Sequence, residues 1–301
     1  MPQPQTAICA EGETFAAFLT LMVTDAAAAR RALRGLPALG RRLAGETDDA
    51  ALSCAVAVGA AIWPALYGSP APRGLAPFQA LADGPRQAPA TPADLFLHVH
   101  GQRPDSVFAL ARAARAALGA AVTLVEEIHG FRTRQSRDLT GFVDGTENPC
   151  GAERPEAALV GDEDPAFAAG SHVSLQRYVH DLAAWERLSL AEQEAAVGRS
   201  KADDVELDDK PASAHIARVV IEDEDGAELQ VVRHSLPYGG TDEHGLYFVA
   251  YARSPAPFRR MLEAMVRRDG QGHGDRLLDF SRAVTGAAFF APSCDFLEQA
   301  E

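Results

Sequence analysis

The chain lacks the marks of most common enzyme chemistries. It contains no GxGxxG after a strand, no P-loop, no HExxH and no GxSxG, so nucleotide binding and the frequent hydrolase mechanisms lose their usual signatures. A CxxCH run is absent too, which excludes covalent c-type haem attachment by pattern. Cysteine is scarce: Cys9, Cys54, Cys150 and Cys294 lie far apart and in no metal spacing. An even count permits disulfides, but a cytoplasmic reading favours reduced thiols. No apolar run approaches the ~20 residues that span a bilayer. The opening "MPQPQTAICAEGE" has neither the basic nor the apolar region of a secretory signal. The expected location is the cytoplasm. Positive charge is also in short supply, with 28 Lys and Arg against 42 Asp and Glu and a formal net charge of −14. That argues against nonspecific binding to nucleic acid or an anionic membrane.

What is present is a chain of 301 residues, 47% hydrophobic, enough for one large domain or two medium ones. "FAAFLTLMV" reads as a strand, and the Ala/Arg/Leu-rich run after Asp25 as a helix with Asp25 as its N-cap. "SCAVAVGA" and "LFLHVHG" are strands separated by a Pro/Gly/Ala-rich loop over roughly Tyr67 to Pro92. A helix from Pro104 to Gly119 and the strand "AAVTLVEEIHGF" complete a β-α-β-β-α-β order. The second half repeats it. "SHVSLQRYVHD" is strand-like, "LAAWERLSLAEQEAAVGR" helical, and "HIARVVIEDEDGAELQVVRHS" reads as two strands joined through Asp225-Gly226. "GLYFVAYAR" is a further strand, "PFRRMLEAMVRR" a helix, and "LLDFSRAVTGAAFFAPS" mostly strand. The expected fold class is α+β: two ferredoxin-like (βαββαβ) halves with antiparallel sheets, residues 1–137 and 138–301.

Several polar residues stand out. In "GFVDGTENP", Asp144-Gly145 is either a tight turn or a carboxylate held against a ligand with glycine permitting close approach. His98 and His100 share one face of a strand. They could share a metal, but the preferred reading is the solvated side of a half-buried strand. His215 stands at the mouth of an apolar stretch, as a core residue or a ligand. Arg233 ends an apolar strand and calls for an anionic partner. That is either a structural ion pair, as with Asp144, or negative charge developing in a reaction. With the turn at Asp225-Gly226, hairpin parity puts His215 and Arg233 on opposite faces, compatible with a large flat ligand between them.

Together, "GFVDGTENP", "ELDDKPASAHIARV", "RHSLPYGG", "FVAYARSP" and "LLDFSRAVTGAAFFAPS" resemble, in order, the blocks of a dye-decolorizing peroxidase of the bacterial B-type branch. The resemblance spans most of the chain and implies paired ferredoxin-like halves and non-covalent haem b, held mainly by the C-terminal half. It implies His215 as the proximal ligand to haem iron, with Asp144 and Arg233 as distal catalytic residues. Gly145, Thr146 and Ser235 belong to the cofactor pocket, and Asp279 is the carboxylate expected to accept the proximal imidazole N–H. Ser235 stands where many members carry asparagine, so its contact with a distal ligand would run through water.

The implied activity is oxidation of organic donors, dyes and phenolics, by hydrogen peroxide in one-electron steps through a ferryl intermediate. Trp63, Trp185, Tyr238 and Tyr251 are candidate exits for oxidising equivalents, or ordinary aromatics. Manganese oxidation is not written in the sequence, although acidic runs at Asp203–Asp209 and Glu222–Glu228 could bind divalent ions weakly. The alternative is a haem-handling protein that stores haem or removes its iron without peroxide turnover. A chlorite-degrading relative would lack Asp144, and a non-enzymatic module would not take up haem. The resemblance implies a homo-oligomer, dimer or larger. The end at "SCDFLEQAE" gives no expectation of encapsulation through a C-terminal extension.

Overall fold

The computed structural model describes residues 2–91, 93–223 and 225–299. The first half runs α1 (Thr6–Cys9), β1 (Phe15–Val23), α2 (Ala26–Thr47), β2 (Ser53–Gly59), α3 (Trp63–Tyr67), β3 (Leu81–Asp83), β4 (Arg86–Ala88), β5 (Leu95–Gly101), α4 (Pro104–Leu118) and β6 (Val122–Phe131). The second runs α5 (Glu153–Ala158), β7 (Ser171–His180), α6 (Leu182–Trp185), α7 (Leu190–Val197), α8 (His215–Val219), β8 (Val232–Arg233), β9 (Leu236–Gly239), β10 (His244–Ala252), α9 (Ala256–Val266), β11 (Ser281–Ala283), β12 (Ala287–Ala291) and α10 (Cys294–Gln299).

Local signals account for the long elements. Asp25 caps α2 by accepting from the Ala28 N–H at 2.9 Å, which satisfies one of the free amides of the first turn. Pro104 opens α4, and the chain leaves it at Gly119. The helical run after His180 is broken in two, because Ser189 and Glu192 form a capping box that starts α7 afresh. The Pro/Gly/Ala-rich stretch contains the short hairpin β3–β4.

The strands pair antiparallel in the order β7-β12-β2-β5-β1-β6-β9-β10, and β10 pairs back to β7. Among the described residues this closes eight strands into a barrel, with β11 and β8 attached to β7 and β10. Alternation then divides the core. On β1, Ala17, Leu19 and Leu21 pack outward with Leu33 and Leu36 of α2 and Leu110 of α4. Ala16 and Phe18 point into the barrel with Phe96, Leu175, Tyr247 and Tyr251.

This geometry corrects two expectations. His98 and His100 are wholly buried, because a central barrel strand has the helices on one face and the barrel interior on the other. The long hairpin after His215 does not form. His215 begins a short helix, the Asp225-Gly226 turn closes one isolated pair, Glu222 with Glu228, and regular pairing resumes only at Val232. Hairpin parity therefore does not relate His215 to Arg233.

Closure depends on a close backbone approach at Gly245, where an added Cβ would meet the Tyr178 carbonyl oxygen at 2.0 Å. Gly245→Ala is expected to force β7 and β10 apart and to cost about 1–3 kcal/mol, read as a lowered midpoint in urea denaturation.

Candidate functional site

The "GFVDGTENP" segment is held rigidly before it carries any chemistry. Arg137 donates to the carbonyls of Gly141 and Lys201 at 2.8 and 2.6 Å. The buried Trp185 indole donates to the Thr140 carbonyl at 2.9 Å. The Asp144 N–H donates to the Ser136 carbonyl. Gly145 takes φ +86°, a left-handed conformation that glycine adopts without strain. Asn148 then clamps the next strand: its side-chain amide donates to the Arg233 carbonyl at 2.9 Å, and its carbonyl accepts from the Arg233 N–H at 2.8 Å. One asparagine thus sets Asp144 and Arg233 beside each other.

Asp144, Gly145, Asn148, Arg233 and Ser235 line a polar cavity of about 200 Å³, together with Glu13, Arg132 and Arg154. Burial raises the Asp144 carboxyl above the ordinary range, although the Arg233 charge pulls the other way. The Arg233 guanidinium makes no ion pair among the described residues, so the structural salt bridge is not what it forms. The Ser235 hydroxyl is buried without a hydrogen-bond partner. Such unspent donors facing one cavity suit a ligand whose charge develops there.

His215 faces a second, apolar cavity of about 100 Å³, walled by Phe248, Phe258, Met261, Leu262 and Leu277 among others. Its Nδ1–H donates to Asp275 at 2.7 Å, and Asp275 is fully buried. Burial disfavours the imidazolium, but the Asp275 carboxylate outweighs it and raises the His215 pKa. The backbone makes this pair: the Arg276 N–H donates to the Ser213 carbonyl, tying the two loops together. Arg218 fastens α8 to the end of α9 by donating to the Ala264 and Arg267 carbonyls. His215 lies within electrostatic reach of Asp144 and Arg233.

The carboxylate at His215 is therefore Asp275, not Asp279. Asp279 pairs with Arg86 and Arg276 at 2.7 and 2.5 Å. Arg276–Asp279 form a tight turn that Asp275 opens by accepting from the Leu277 N–H. A carboxylate capping a turn was the available signal. Thr146 lies outside both cavities and donates to Asp204 at 2.5 Å. Trp63, Trp185, Tyr238 and Tyr251 are all buried, and Trp63 sits among Tyr67, Phe167, Phe290 and Phe296 as a core residue does.

An apolar cavity with a carboxylate-oriented histidine, and a carboxylate–arginine cavity within electrostatic reach of it, suit a class of protein that holds a flat cofactor. The residues fit haem, since the Nε2 of His215 has no partner among the described residues and the walls are apolar.

The comparisons are specific. Residues 5–132 match the N-terminal and 135–296 the C-terminal family of the Dyp-type peroxidases. The chain is 46% identical to a dye-decolorizing peroxidase of Mycolicibacterium paratuberculosis, over 99% of this chain and 85% of that one. A Dyp-type peroxidase from Shewanella oneidensis superimposes with a TM-score of 0.96 at 43% identity, covering 100% of this chain and 99% of that one. A variant of DypB from Rhodococcus jostii, solved in complex with haem, gives 0.93 at 41% identity and 99% of both chains. The chain belongs to the Dyp-type peroxidase family.

Glu13 was not singled out by its sequence context, yet it lines the polar cavity, 3.4 Å from Arg132 and 3.0 Å from His234. Burial would raise its carboxyl, but the hydrogen bond and charge of His234, with the charge of His100, hold it well below its ordinary 4.5. A depressed folded pKa stabilises above the unfolded value and is lost as pH falls through the folded one. Glu13→Gln is therefore expected to be less stable than wild type at neutral pH, with the difference narrowing as pH falls below 4.5, checked by denaturation across pH.

Proposed function

We propose that His215 is the proximal haem ligand of this peroxidase and that Asp144 and Arg233 activate hydrogen peroxide on the opposite face. The observation that carries the reading is the His215–Asp275 pair set in an apolar cleft beside the Asp144–Arg233 cavity. Once bound, haem b supplies the oxidising and electron-transfer chemistry.

The chain's own residues supply the rest. Asp275 fixes the His215 tautomer, so Nε2 carries the lone pair, and strengthens the ring as a donor. Asp144, with its carboxyl raised by burial, takes a proton from the inner oxygen of peroxide and returns it to the outer one. Arg233, with no competing ion pair, stabilises the negative charge growing on the departing oxygen. Gly145 holds the turn that presents Asp144, and Ser235 offers a free hydroxyl to a water in the same cavity. Small organic molecules such as dyes and phenolics then provide the electrons one at a time.

We infer further that the barrel consists of two ferredoxin-like halves, residues 1–137 and 138–301. The neighbour orders β6-β1-β5-β2 and β12-β7-β10-β9 support this, each being one βαββαβ sheet. Four free cysteines agree with a cytoplasmic setting. Membership of the family supports assembly into a dimer or larger homo-oligomer.

Arg233→Leu is expected to slow the first peroxide-driven spectral change by roughly 10²-fold; an unchanged stopped-flow rate would refute its role. His215→Ala is expected to lose or badly weaken haem retention in a spectral titration. A normal haem load with an unaltered ligand spectrum would sink the ligand assignment.

A further inference from the structure

The barrel interior contains a polar cluster that the peroxide chemistry does not use. Tyr251 and His98 are wholly buried, and the phenol lies 2.9 Å from Nδ1 of His98. The His98 ring is 4.8 Å from that of His100 and 5.4 Å from that of His234. His234 in turn meets Glu13 at the wall of the polar cavity. Polar groups of this kind are costly inside a barrel otherwise filled by Phe18, Phe96 and Phe289, so their presence calls for an account.

Donation from the phenol O–H to Nδ1 of His98 leaves one group unmet among the described residues, the Nε2–H, whereas the reverse tautomer would strand both Nε2 and the phenol O–H, so the phenol is the donor. Burial, with the charges of His100 and His234, holds the His98 pKa well below the ordinary value and keeps the imidazole a neutral acceptor. This matters because a tyrosine that loses an electron becomes a very strong acid. It is oxidised readily only where a base takes the proton at once. Among the five tyrosines, Tyr251 alone has an imidazole acceptor. Tyr238 donates to a backbone carbonyl and accepts from Arg177, and the Tyr247 hydroxyl has no partner. Tyr251 is also close to the site. On β10 it pairs with Val232, next to Arg233, and it lies three residues beyond Phe248 of the cofactor cleft.

We propose that Tyr251 and His98 form an internal store for one oxidising equivalent. The inference rests on the haem reading above. Tyr251 gives one electron to the peroxide-oxidised haem, its O–H bond breaks, and the proton passes to Nδ1 of His98. The products are a neutral tyrosyl radical, an imidazolium, and a haem one electron more reduced. An electron from an organic donor later restores the phenolate, which recovers the proton from His98. Glu13, held ionised at the end of the cluster, offsets the charge that His98 gains. Being fully buried, Tyr251 is not a docking point for donors; it shelters the equivalent until one arrives.

The test is freeze-quench electron paramagnetic resonance of haem-loaded protein mixed with one equivalent of hydrogen peroxide, with the optical spectrum followed in parallel. The expected result is a tyrosyl signal that narrows on ring deuteration of tyrosine and disappears in Tyr251→Phe, while the optical response to peroxide persists. In His98→Gln its yield should fall about ten-fold or more, since the proton acceptor is lost. An undiminished tyrosyl signal in Tyr251→Phe, or none in wild type despite the optical response, would overturn the inference alone. Absence of any optical response would overturn the peroxide-activation reading together with it. Should Tyr251→Phe fail to fold, difluorotyrosine placed at position 251 preserves the packing. Fluorine splitting of the signal supports the assignment, and an unsplit signal refutes it.

Discussion

Because β10 hydrogen-bonds to β7 on one side and to β9 and β8 on the other, each of its residues must face either the barrel interior or the helical layer outside. Leu246 and Phe248 face the apolar cleft that also receives His215. Tyr247, Val249 and Tyr251 face inward. One strand therefore separates two chemically different spaces by the thickness of a backbone. A closed barrel cannot slip its register without exchanging the two sets, so the cleft and the interior cluster stand or fall with the same closure.

The two cavities are assembled from pieces far apart in the chain by backbone contacts rather than by side-chain packing alone. Asn148 fixes Arg233 across 85 residues through both the nitrogen and the oxygen of its side-chain amide. The Ser213–Arg276 bond places Asp275 under His215. Each removes the freedom that Arg233 and His215 would otherwise lose on binding a ligand, which is how preorganised donors act without rearranging at the moment of reaction.

Electrostatics differ between the two cavities. At Asp144, burial overrides an adjacent arginine and raises the carboxyl's affinity for a proton. At His215, a buried carboxylate overrides burial and raises the imidazole pKa. Of the same two physical effects, desolvation wins at Asp144 and the opposite charge at His215, because Asp275 lies at 2.7 Å in a direct hydrogen bond, whereas Arg233 acts on Asp144 through charge alone.

The sequence by itself determined the elements whose signals are local. Asp25, Pro104 and Gly119 mark helix ends through backbone amides and dihedral angles only a few residues away, and the alternating runs of β1, β5 and β10 declare themselves strands by composition. It also determined the family, and it singled out Asp144, His215 and Arg233 as candidates, because motif order is a linear property. Tertiary structure alone decided which carboxylate meets His215, since Asp275 and Asp279 differ by one tight turn that rotates them onto different partners. It decided the burial of His98 and His100 as well: a strand's sequence cannot say whether its polar face meets water or the inside of a closed barrel. The helix at His215 likewise replaces an expected strand because five residues of apolar character carry no period, and the contacts of Arg218 with the end of α9 select the helix.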